Sequence, residues 1–121
     1  MFKIRSHQLA SFAAAAAVTF PERMVEFLRR EMPEVCDEET PSRVDQAIVR
    51  AHGRGLLLDL DLSRFVVLTF THGPLFDEEA WAKRTLERDD LPASTRIARV
   101  YEAAIRRQLV EDTAMARRER P

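Results

Sequence analysis

DLDLSRFVVLTFTH, residues Asp59–His72, is the stretch on which the fold turns. Its centre, Phe65–Thr71, is rich in β-branched and aromatic residues, and by propensity alone it reads as a strand. A strand needs a neighbour for its backbone donors and acceptors, and nothing else in the chain offers one. The stretch is therefore read as a helix, capped by Asp59 or Asp61, that carries Leu62, Phe65, Val66, Leu68, Thr69 and Phe70. A helix apolar nearly all round belongs at the centre of a bundle.

Working outward, His72-Gly73-Pro74 ends this helix, and His52-Gly53 or Gly55 ends the one before it. In both places an imidazole in the last turn faces the negative end of the helix dipole, and a glycine supplies the left-handed residue. Thr40-Pro41 opens that earlier helix, with Val44, Ala47, Ile48 and Ala51 on its inner face. On the other side, Asp77 is expected to cap a fourth helix reaching about Arg88. Leu91-Pro92 breaks it, and Ala93 or Ser94 starts a fifth with Ile97, Val100, Tyr101, Ala104, Ile105 and Leu109 along one face. Its periodicity fades beyond Val110, so the tail from about 111 is expected to fray.

The N-terminal part spaces Leu9, Ala13, Ala16, Phe20, Met24 and Phe27 three or four residues apart. Two readings compete here. One is a single long helix from about Ser6 to Glu31, kinked at Pro21; the other starts a new helix at a capping box formed by Thr19 and Glu22. The unbroken apolar stripe favours the kinked helix. Lys3 and Arg5 ahead of Leu9–Val18 superficially resemble a secretory signal, but five of those residues are consecutive alanines, Ala13–Ala17, and the segment is read as helix. No run approaches the twenty or so apolar residues of a membrane span.

The expectation is one all-α domain over residues 1–121, a bundle of about five helices with the first long and kinked near Pro21. With 121 residues the chain is long enough to bury a core without a staple. Its 19 basic and 20 acidic side chains leave a net charge of −1, which argues against a dedicated nucleic-acid binder. The single cysteine, Cys36, fits a reducing compartment and makes no recognisable metal spacing with the histidines.

A search for chemistry finds no nucleophile elbow, no phosphate-binding glycine loop and no His-Glu-x-x-His pattern. Asp59 and Asp61, or Asp89 and Asp90, are read as helix caps and solvated turns. No catalytic, cofactor-binding or metal-ligating residue is assigned. Two features point instead to protein binding. Glu31–Glu39 carries Glu34, Asp37, Glu38 and Glu39 without a basic residue; it reads first as a solvated acidic loop and, as the sharper alternative, as a docking surface for a basic partner. Phe76 and Trp81, the only tryptophan, lie beside the Gly73-Pro74 turn; core packing at the end of a small bundle accounts for both, and the sharper alternative makes them anchors for a partner. The alternative is a small nucleic-acid-binding regulator using Arg96, Arg99, Arg106 and Arg107 of the fifth helix, although acidic residues interleave with them.

The order of certain residues is also familiar. Ile4-Arg5 with Gln8, Phe20, Arg23-Met24-Val25 with Leu28-Arg29, and Pro33 with Cys36 come first. Ile48, Gly53 and Gly55 follow, then Phe65, Leu68 and Phe70, then Gly73-Pro74, Phe76-Asp77, Trp81, Arg96 and Tyr101. Over about Ile4 to Ala104 this resembles small helical proteins encoded beside type VI secretion spike and effector genes in proteobacteria. Pro21 and Leu56-Leu57-Leu58 depart from that pattern. The resemblance implies no catalytic residues. It implies a cytoplasmic accessory protein (adaptor, co-effector, chaperone or immunity protein) whose partner is a secreted toxin or a spike component.

Overall fold

A computed structural model describes residues 19–118 of the chain, with side chains as far as residue 113. They form five α-helices: α1 (Phe20–Glu31), α2 (Thr40–Gly53), α3 (Asp59–His72), α4 (Ala80–Leu86) and α5 (Ala93–Arg118). Short 3-10 turns lie at Pro33–Val35 and Phe76–Glu78, and no strand occurs among the described residues. The class is all-α.

The stretch that decides the fold is the central helix. α3 buries Leu62, Phe65, Val66, Val67, Leu68 and Phe70, so side chains from every side of it are out of water. It packs against α2 and α5, and α1 closes over α2 and α3. Phe65 meets the ring of Phe76 at a centroid distance of 4.8 Å, tilted by 58°. Polar residues within this core are individually satisfied. Thr69 donates to the carbonyl of Val66 and Ser63 to that of Asp59. Asp61 accepts from Ser94 at the start of α5, with the Arg64 guanidinium 3.7 Å away. Asp59 pairs with Arg23 of α1 at 2.9 Å. These two carboxylates tie helices together, where the sequence had suggested solvated caps.

α1 corrects the expectation of a long helix kinked at Pro21. The helix begins at Phe20, with Thr19 extended (φ −63°, ψ 154°) as its N-cap and Pro21 in its first two positions. There the missing proline N–H falls among donors that have no helical acceptor in any case. The competing start at Thr19 is the one realised, although the Thr19 side chain makes no capping hydrogen bond. The earlier part of the expected helix, before Thr19, lies outside the described residues.

Other boundaries moved for similar reasons. α2 ends in a Schellman arrangement, in which Leu56 N–H donates to Ala51 O and Gly55 N–H to His52 O. Gly55, with φ +84°, takes the left-handed position, while Gly53 remains helical. Leu56 is buried under the turn; Leu57 and Leu58 are exposed. α4 begins at Ala80 rather than Asp77, which belongs to the preceding 3-10 turn. α5 is helical as far as Arg118, past Val110 where its apolar periodicity fades. Alanine and arginine are good helix formers, and the Gln108 amide donates one turn on to Asp112 at 3.4 Å.

Candidate protein-binding surface

A groove of about 490 Å³ runs between α2 and the Gly73-Pro74-Leu75 turn. Ala47, Val49, Thr69, Pro74 and Leu75 line it, with Arg43, Asp45, Gln46 and Arg50 as its polar members. Val49 is 71% exposed and Leu75 58% exposed, and of the large apolar side chains that the described residues leave in water these two line the groove. Both stand at the rim because the chain places them there. Val49 lies on the outer face of α2, two residues after buried Ala47, and Leu75 tips the turn that Gly73 permits. Gly73 has φ +111° and ψ 154°, a conformation that only glycine adopts without strain.

An ionic clamp fastens one side of the groove. Asp77 is only 1% exposed and accepts from Arg50 Nε at 2.7 Å and Arg54 Nε at 3.0 Å. Arg54 also donates to the Asp77 carbonyl. One oxygen of Glu78 accepts from Arg50 Nη2 at 3.0 Å and Arg54 Nη2 at 3.1 Å, and Lys83 Nζ lies 3.4 Å from its other oxygen. Arg50 in the last turn of α2 and Arg54 at its C-cap thus grip two adjacent carboxylates, and the turn carrying Pro74 and Leu75 is pinned to the end of α2. At the other end Arg43 lies 4.1 Å from the centre of the Phe70 ring and donates to the carbonyl of Val35. Sequence reasoning assigned Asp77 as a helix cap and missed the clamp. The available signal was Arg50 and Arg54, four apart at the end of a helix, with Asp77-Glu78 elsewhere waiting for cations.

The residues singled out from the sequence are scattered around this surface. Phe76 is fully buried against Phe65 and offers no area to a partner in this arrangement. Trp81 is half-buried, its Nε1–H donating to Glu79 at 2.7 Å. Asp37 orders the turn that enters α2: its carboxylate accepts from Glu39 N–H, and Thr40 Oγ1 accepts from Asp37 N–H in return. Glu34, Glu38 and Glu39 are exposed on the turn leading into α2. Of the fifth-helix arginines, Arg96 donates to the carbonyl of Leu91 and Arg107 lies 5.0 Å from the Trp81 ring centre; Arg99 and Arg106 are exposed.

No protein-family model, curated protein or solved structure matches this chain. The described residues contain no group of three or more His, Cys, Asp or Glu side chains placed to hold a metal ion. None of their helices is long and apolar enough to cross a membrane.

Proposed function

We propose that this chain is a non-catalytic protein-binding module that receives its partner along the groove between α2 and the Gly73–Leu75 turn. The observation that carries the reading is the pair of exposed apolar side chains, Val49 and Leu75, at the rim of a groove braced by the Asp77 clamp. Apolar area that a small protein leaves in water is most useful when another surface covers it. The acidic turn at Glu34, Glu38 and Glu39 adds a charged surface that would favour approach of a basic partner. The toxin-secretion setting, and with it a cytoplasmic accessory role toward a toxin or spike component, rests on the resemblance of residues 4–104 alone.

The test is capture of partners by the tagged protein from its native host, repeated with the double substitution Val49→Asp and Leu75→Asp. A stoichiometric partner, bound by the wild type and lost at least tenfold by the variant at an unchanged melting temperature, supports the reading. Equal binding by both proteins moves the interface elsewhere. Capture of nucleic acid, with strong salt dependence, would replace protein binding with the nucleic-acid alternative.

A further inference from the structure

His72, the last residue of α3, joins three helices at one point. Its ring lies 5.5 Å from that of Trp81 on α4, centre to centre, and the Arg107 guanidinium of α5 sits 5.0 Å from the same tryptophan ring. Thr71 Oγ1 donates to the carbonyl of Val67 at 3.0 Å and lies 2.8 Å from His72 Nδ1. The one hydroxyl proton is committed to Val67, so Nδ1–H is the consistent donor to Thr71, leaving Nε2 as the nitrogen that gains a proton. Arg107 and Glu111 face the imidazole from α5, and Glu79 from the turn before α4.

These neighbours pull in opposite directions. Burial of the ring opposes its protonation most strongly, and Arg107 adds to that opposition. Glu111 and Glu79 favour protonation, without reversing the balance, so the imidazole is held below its ordinary range. The contact also sits where α5 leaves the bundle. Ala104 is the last buried residue on the described part of α5, whereas Ile105, Leu109 and Val110 are exposed. The stacked Arg107 is thus an attachment of the helix beyond its core-facing residues.

We propose that His72, Trp81 and Arg107 form a proton-sensitive latch, closed while the imidazole is neutral, that holds the outer part of α5 to the end of α3. Protonation puts a second cation beside the ring that Arg107 already occupies, and the latch loosens at mildly acidic pH. The device requires no partner and is independent of the groove.

Trp81 is the only tryptophan, so its fluorescence reports this cluster alone. Emission and amide-exchange protection of residues 105–113 are followed from pH 7.5 to 5.0 in wild type, His72→Gln and Arg107→Gln. In wild type the emission should shift and protection should fall several-fold in one transition, which His72→Gln should abolish. Arg107→Gln, a change at an exposed residue, should move the emission midpoint to higher pH because one opposing cation is gone. A transition that persists in His72→Gln, unchanged protection of 105–113 in wild type, or a midpoint indifferent to Arg107 overturns the latch.

Discussion

Asp77 shows how much one side chain controls here. It is a nearly inaccessible carboxylate whose two oxygens each receive an arginine Nε. Replacing it with Asn keeps the shape and removes the charge. Loss of one member of a buried ion pair costs about 3–5 kcal/mol, and the lower end is expected because Glu78 still holds both guanidiniums. Urea denaturation of Asp77→Asn should therefore show a loss of about 3 kcal/mol. His72 makes a residue-scale prediction with a definite sign. Folding lowers its affinity for a proton, so the folded chain binds fewer protons than the unfolded one as pH drops below the ordinary value of 6.5. The stability tied to this group is intact above pH 6.5 and is lost progressively below it. Between pH 7 and 5, denaturation midpoints should fall further in wild type than in His72→Gln.

At the scale of elements, the helix ends set the geometry of the groove, and two glycines test this in opposite directions. Gly53 lies within the last turn of α2, and a methyl group added there would meet nothing within 4 Å. Gly53→Ala should stabilise the protein by about 0.5–1 kcal/mol, the usual helix penalty of glycine removed. Gly73 also has open space for a methyl group, but its φ of +111° is closed to L-residues. Gly73→Ala should destabilise by about 1–3 kcal/mol through backbone strain alone. Thermal melts of the two variants should move to opposite sides of wild type. A shared direction would mean that the two turns do not differ as described. α1 teaches a related lesson about proline. Apolar spacing alone does not distinguish a proline that kinks a helix from one that begins it, because both leave the stripe in register.

For the molecule as a whole, one continuous core draws on all five helices, from Met24 and Phe27 of α1 to Val100 and Ala104 of α5. The described part of the chain should therefore unfold in one cooperative transition, with Trp81 fluorescence and far-UV circular dichroism coincident at pH 7.5. Separated transitions would show that α5 or α1 is an independent unit. Much of this architecture was legible beforehand. The helical class, the central place of α3, the inner face of α2 and that of α5 as far as Ala104 follow from residue periodicity and from the lack of a pairing partner for Phe65–Thr71. These are local or compositional properties, and a chain carries them wherever it folds. Ile105 and Leu109, expected on the same face of α5, are instead exposed because no other described helix covers that stretch. The start of α1 and the groove beside Leu75 were decided by tertiary structure. So were the Asp77 clamp and the His72–Trp81–Arg107 cluster, whose members lie 23 to 27 residues apart in one case and up to 35 (107 − 72) in the other. Which arginine meets which carboxylate depends on how helices cross, and that depends on the packing of side chains around α3. Charge and aromatic character are written in the sequence; the distances that turn them into a clamp or a latch exist only once the core has closed.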